Sequence, residues 1–169
     1  RAVKKESLQV LANEFPECPI HIHVAEQVKE VQEIHESWGY RPIEWLVENI
    51  NLTTNWCLIH CTQMSNAEAK KLVKTGAVIG LCPVTEANLG DGIFDGKSWL
   101  EVGGKFGIGT DSNVSISLFG ELRMLEYSQR LMQKSRLAMK GSSGLSIGRQ
   151  LFGHALEGGA LASGRESGS

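Results

Sequence analysis

Five side chains in this sequence have types and spacing suited to chemistry. The run PIHIHVAEQVKEV (residues 19–31) sets His21 and His23 one residue apart, with Glu26 three beyond the second. Strand side chains alternate between faces, so the two imidazoles would project to the same side, an arrangement often used to hold a metal. WCLIHC carries His60, and GIGTDSN carries Asp111. His23, His60 and Asp111 each fall where an apolar, strand-like run ends. Two imidazoles and a carboxylate suit a catalytic zinc or a similar divalent ion. Glu26, just past its strand, is placed to handle protons without being a ligand. In metal-dependent hydrolases the ion lowers the pKa of its water to about 7 and a carboxylate moves the proton. Each residue also has an ordinary reading. A lone histidine at a strand end serves hydrogen bonding more often than ligation, His60-Cys61 could be core packing, and Thr110-Asp111-Ser112 could cap a following helix. Their joint placement at the ends of successive strands favours the chemical reading. His35 and His154 fall on helices and are read as surface or packing residues.

The elements that would position these groups follow from periodicity. CPIHIHV reads as a strand. Apolar residues from Val28 through Val31, Ile34 and Trp38 mark an amphipathic helix ended by Gly39, and Pro42 opens a second with Ile43, Leu46, Val47 and Ile50 on one face. WCLIHC (56–61) is the next strand. Ser65 and Glu68 are spaced as a capping box for a helix that stops near Gly76. AVIGLCP (77–83) is a third strand, closed by Pro83, and VTEANLGDGIFDG (84–96) reads as a long loop. SWLEVGG suggests a short helix and KFGIGT (105–110) a fourth strand. A long helix is expected from about Ser117 to Met139, and a last one from about Gly148 to Ala162. Strands alternating with helices, with apolar runs buried on both faces, predict a parallel α/β architecture. No G-x-G-x-x-G follows the first strand, which removes the main support for a dinucleotide-binding fold. A (β/α)8 barrel typically takes about 250 residues, and four units are half of one. In both parallel architectures the carboxyl ends of the strands are where sites are built.

Composition narrows the function classes. At 169 residues, 41% hydrophobic and 21% charged, the chain has the make-up of a soluble globular domain. No apolar run approaches the roughly 20 residues that cross a bilayer. A net charge of −2 gives no reason to expect nucleic acid or an anionic membrane as partner. Cys18, Cys57, Cys61 and Cys82 form no C-x-x-C pair, and buried reduced thiols in a cytoplasmic compartment are expected. The chain opens on Arg1 and closes on the polar GRESGS, which suggests a fragment.

HIHVAEQ, His60-Cys61, GLCPVTEANLGDGIFDG and GIGTDSN, in this order and spacing, resemble the amidohydrolase superfamily from strand 5 to strand 8 of its barrel, and within it the formimidoylglutamate deiminase group. H-x-x-E after strand 5 is shared with purine and triazine deaminases, whereas TEANLGDGIF is the more specific string. The resemblance is firmest over residues 19–113. It implies that residues 1–169 are the C-terminal half of a TIM-type barrel domain. It implies His23 as the strand-5 metal ligand and Asp111 as the strand-8 aspartate that binds metal and takes a proton. It implies His60 as the residue beside the substrate's reacting carbon, Glu26 as the acid/base, and Arg1 near the position of an arginine that binds a substrate carboxylate. The implied cofactor is one divalent ion, Zn2+. The implied reaction is hydrolysis of the small molecule N-formimino-L-glutamate to N-formyl-L-glutamate and ammonia, in histidine degradation. His21, roughly 6–7 Å deeper along the strand than His23, is then expected to pack or hydrogen-bond inside the barrel.

The family's remaining metal ligands, an H-x-H on strand 1, are not in this chain. His21-x-His23 is not that pair, because AEQ belongs after strand 5 and His60 follows too soon. Two protein ligands fall short of the three that a catalytic zinc normally takes. The expected partner is therefore the missing N-terminal half-barrel, or a second copy of the chain. Two other readings stand beside the deiminase: a non-catalytic half-barrel that dimerises as a binding or structural module, and an amidohydrolase acting on another imino or amino compound.

Overall fold

The computed structural model describes residues 3–165. Arg1, expected to bind a substrate carboxylate, lies outside the described residues. Four parallel strands form one sheet in chain order: β1 (Ile20–Val24), β2 (Trp56–His60), β3 (Val78–Leu81) and β4 (Phe106–Ile108). The ladders pair Val24 with His60, Ile59 with Gly80, and Gly80 with Gly107. This register brings the carboxyl ends of the strands to one edge of the sheet. β1 and β4 are its outermost strands, so each has one side without a partner strand among the described residues.

Helices α1 (Lys5–Glu14), α2 (Val28–Trp38), α3 (Pro42–Asn49), α4 (Asn66–Leu72), α5 (Pro83–Leu89), α6 (Gly96–Glu101), α7 (Leu118–Gln133) and α8 (Ile147–Ala162) precede and follow the strands along the chain. Local chemistry accounts for many of their ends. Gly39 closes α2 in the left-handed region (φ 74°), donating its N–H to His35 O. Pro42 occupies the first turn of α3, where its missing N–H costs nothing. The expected capping box at α4 is present: Ser65 N donates to Glu68 Oε2 at 2.8 Å, and Glu68 N to Ser65 Oγ at 3.3 Å.

The structure departs from the sequence reading in three places. Residues 84–96 are not a continuous loop, because Pro83 is the first-turn residue of α5 as well as the end of the strand run. α7 ends at Gln133 rather than near Met139. Lys134 is left-handed (φ 52°), and the chain folds back so that Met139 is buried and its N–H reaches Glu126 Oε2 at 3.3 Å. α1, which sequence periodicity did not reveal, buries only Leu8.

One sheet face carries Leu58, Ile79, Leu81 and Phe106, all at most 1% exposed, packed in one core with Ile43, Leu46, Leu72, Trp99 and Leu125. The other face carries His21, His23, Cys57, Ile59, Val78, Gly80 and Gly107. α8 lies across β4: its Leu151 and Ala155 join the first core, while Ala162 and Leu161 pack with Cys57 and Val78 on the second face. His21 Nε2–H donates to Ala162 O at 2.7 Å, so this histidine holds α8 as the hydrogen-bonding reading expected. His154 sits 5.8 Å from the Phe106 ring, a packing role, and His35 is exposed.

Close approach of α8 to β4 depends on glycine. A side chain at Gly158 would strike the Phe106 carbonyl, and one at Gly107 would meet the Gly159 backbone at 3.2 Å. Gly158→Val is therefore expected to destabilise the fold by at least the ~1–3 kcal/mol typical of overpacking. Gly153→Ala, in the same helix with open space around it, serves as the control. Urea unfolding of the two variants checks this.

Cys57, Cys61 and Cys82 are buried free thiols and Cys18 is exposed. Burial pushes the Cys57 thiol up to about 11 and the Cys82 thiol up to about 12, from 9.0. The unfolded chain releases these protons near pH 9, while the folded chain holds them. Their contribution to stability is complete below pH 9 and is lost as pH rises through about 11 to 12. Denaturation midpoints should fall between pH 9 and 11, and Cys57→Ala with Cys82→Ala should flatten that slope.

Candidate active site

The carboxyl edge of the sheet is built from backbone that ordinary residues seldom adopt. Among the described residues, five non-glycine positions have left-handed φ, and four are at strand ends: Ala25 (50°), His60 (71°), Cys61 (51°) and Asp111 (49°). Each such conformation costs on the order of 1–3 kcal/mol and persists only where surrounding contacts enforce it. Here the turns divert the chain directly above β1, β2 and β4, and two of the four residues are candidate site residues themselves.

Hydrogen bonds hold these turns. Above β1 the buried Glu30 carboxylate accepts from Ala25 N at 2.8 Å and Glu26 N at 3.0 Å, so the first turn of α2 clamps the backbone that presents Glu26. Gln63 N donates to Ala25 O at 2.9 Å. The Gln63 side-chain amide donates to Glu26 O at 3.2 Å and also to Asp91 O. One glutamine thus ties together the loops that follow β1, β2 and α5. Arg41 steadies it, donating to Gln63 O and, through Nε, to Glu68 Oε2 at 3.0 Å.

His60 is 1% exposed, Glu26 2% and Glu86 4%. His60 Nδ1 lies 3.2 Å from Glu86 Oε1, and its Nε2 lies 3.7 Å from Glu26 Oε1. Nε2 is buried and has no hydrogen-bond partner among the described residues. The exposed His23 ring is 5.4 Å from that of His60, tilted by 40°. Three sequence-expected residues, His23, Glu26 and His60, are therefore neighbours. Asp111 is exposed on the same edge of the sheet, three residues beyond Ile108.

Sequence reasoning missed the contribution of α5. Thr85 Oγ1 donates to Thr110 O at 2.7 Å, beside Asp111, while the next residue, Glu86, faces His60. The fully buried Glu121 of α7 accepts from Val84 N at 2.8 Å and Asn113 Nδ2 at 3.0 Å, fixing α5 against the Asp111–Asn113 turn. A helix was legible in Pro83 followed by the Leu89-Gly90 stop, but the acid- and glycine-rich run after it masked the signal. Glu30 was also missed, although its spacing three past Gln27 is that of a cap.

His23 and Asp111 supply an imidazole nitrogen and a carboxylate oxygen, both donor types that a divalent ion such as zinc accepts. Among the described residues, however, no group of three or more His, Cys, Asp and Glu side chains is disposed to hold a metal ion. The donors fit in kind and do not complete a coordination shell.

Residues 3–149 match the Amidohydrolase family. The chain is 47% identical over 170 residues to "Formimidoylglutamate deiminase" of Pseudomonas aeruginosa, covering 100% of this chain and 38% of that protein. A crystal structure of an amidohydrolase from Brucella melitensis superposes with a TM-score of 0.94 at 52% identity, over 98% of this chain and 37% of that one. An adenosine deaminase from Xanthomonas campestris, solved with bound zinc, superposes with a TM-score of 0.79 at 23% identity, over 94% and 35%. That last likeness concerns the fold alone. The chain spans less than two fifths of the length of these relatives, and its sheet and helices are a partial (β/α)8 barrel, its C-terminal half, as the strand pattern and the resemblance led one to expect. The chain belongs to the amidohydrolase family.

Proposed function

We propose that residues 1–169 are the C-terminal half of a metal-dependent amidohydrolase barrel domain that hydrolyses the formimino group of N-formimino-L-glutamate, giving N-formyl-L-glutamate and ammonia. The 47% identity to a formimidoylglutamate deiminase along the whole chain supports the substrate. The observation that carries the chemistry is the buried Glu26–His60 pair beside His23.

In this reading His23 and Asp111 are two of the ligands of a divalent ion, Zn2+, whose other ligands come from outside the chain. When bound, that ion supplies a water activated at neutral pH. The chain's own groups do the rest. Asp111 accepts the proton of the attacking water, and His60 stabilises charge developing at the attacked carbon. Glu26 carries a proton to the nitrogen that departs as ammonia. Its backbone is clamped by Glu30 and Gln63, which supports this role. Arg1 binds the substrate carboxylate. The partner is the N-terminal half of the barrel, and a cytoplasmic setting suits the buried free thiols.

The test combines this chain with the N-terminal portion of the Pseudomonas aeruginosa relative and Zn2+, and follows ammonia release from formiminoglutamate. Release is expected from the combination and not from either part alone. Glu26→Gln should lower it by about 10²–10⁴-fold with zinc content unchanged. A zinc-loaded combination that releases no ammonia from this substrate rejects the assignment, and release from a different imino or amino compound replaces it. Stoichiometric zinc retained by the isolated chain through dialysis would contradict the shared metal site.

A further inference from the structure

Glu86 is a buried carboxylate that the reaction above does not use. It sits on α5, 26 residues along the chain from His60, and is 4% exposed. Burying a carboxylate is costly unless it is hydrogen-bonded, so its partners describe its work. Among the described residues its side chain has two such partners. Oε1 accepts the N–H of Cys82, the residue preceding α5, at 3.0 Å, and the same oxygen lies 3.2 Å from His60 Nδ1. The first bond locks the carboxylate against its own helix, so its position is set before His60 is considered. The same oxygen already accepts the Cys82 N–H, and the Nδ1 contact is read as a second donation to it, from Nδ1–H. The other ring nitrogen, Nε2, is buried, has no hydrogen-bond partner among the described residues, and lies 3.7 Å from Glu26.

We propose that Glu86 is the positioning residue of the site: by holding the Nδ1–H of His60 it fixes the rotation of the ring and commits Nε2 as the one ring atom presented to substrate beside Glu26. The inference rests on the proposed reaction for its catalytic meaning, and on the hydrogen-bond geometry alone for its structural content. The logic is that of carboxylate–imidazole pairs in general, in which the bond made by one nitrogen decides what the other can do. His60 has particular need of such a partner. Its own backbone is left-handed (φ 71°), so the end of β2 alone does not impose an ordinary side-chain direction. The second tie from α5, Thr85 to Thr110 O, anchors the helix that carries Glu86 to the end of β4. The placement of Nε2 is therefore referred to β4 as well as to β2.

Two measurements decide this. Long-range ¹H–¹⁵N spectra of the 169-residue chain report which nitrogen of His60 is protonated, whether or not the chain is active. Nδ1 should carry a proton in the native chain, and in Glu86→Ala the Nδ1–H signal should be lost or exchange rapidly with solvent. Glu86→Gln, whose amide oxygen can still accept, should retain it. A bare Nδ1 in the native chain, or an unchanged signal in Glu86→Ala, overturns the proposal. In the combined, zinc-loaded enzyme, Glu86→Ala should lower kcat about 10–100-fold with KM within threefold, and Glu86→Gln should recover most of the loss. Equal losses in both variants, or a change in KM alone, would also overturn it. If the native combination releases no ammonia, the deiminase reading falls while the spectra still decide the role of Glu86.

Discussion

A buried imidazole flanked by two buried carboxylates is the interaction on which the rest of this site depends. His60, Glu26 and Glu86 come from three different strand–helix units, and each is at most 4% exposed. Removing such groups from water is tolerable only when each meets a partner of matching charge or hydrogen-bonding capacity. The end of β1, the end of β2 and the start of α5 must therefore converge within a few ångströms. Much of the polar architecture around them serves that convergence. Glu30 holds the turn under Glu26, Gln63 spans three loops, and the Arg41–Glu68 pair steadies Gln63 from behind.

The convergence also explains the strained backbone. Adjacent parallel strands lie about 4.8 Å apart with successive side chains on opposite faces, so a regular strand end does not by itself turn the chain over the edge of the sheet. Left-handed turns at Ala25, His60, Cys61 and Asp111 divert the chain there. The strain is borne by the sheet below, whose Leu58, Ile79, Leu81 and Phe106 are almost completely buried, and by α8 laid close across β4 through Gly158. A rigid scaffold at one end and costly turns at the other are two parts of one arrangement.

How legible this was differs from residue to residue. The four strands, the α4 capping box and the glycine stop of α2 were readable because each is decided by neighbours a few residues away. The same holds for the candidates His23, Glu26 and His60, which fall at strand ends and turn out to be neighbours. Legibility failed where distant contacts decide. α7 stops at Gln133 because Met139 is drawn back to Glu126, although the intervening sequence permits more helix. α5 was read as loop because the glycine- and acid-rich run after it masked its local signals, and its contacts to Thr110, Glu121 and His60 are set by the fold.

By itself, then, the sequence determined the parallel α/β alternation, the strand ends and the residue types gathered there. Periodicity and capping are short-range physics, and the family pattern preserves their order. Only the tertiary structure decided that Glu86 faces His60, that Gln63 holds Glu26, and that the partner of His21 is Ala162 of α8. These pairings join groups up to 141 residues apart, as His21 and Ala162 are. Such separations are set by strand register and helix packing, which no local spacing encodes. The two histidines of HIH share a strand face, and in the folded chain His21 bonds to Ala162 of α8 while His23 lies beside His60.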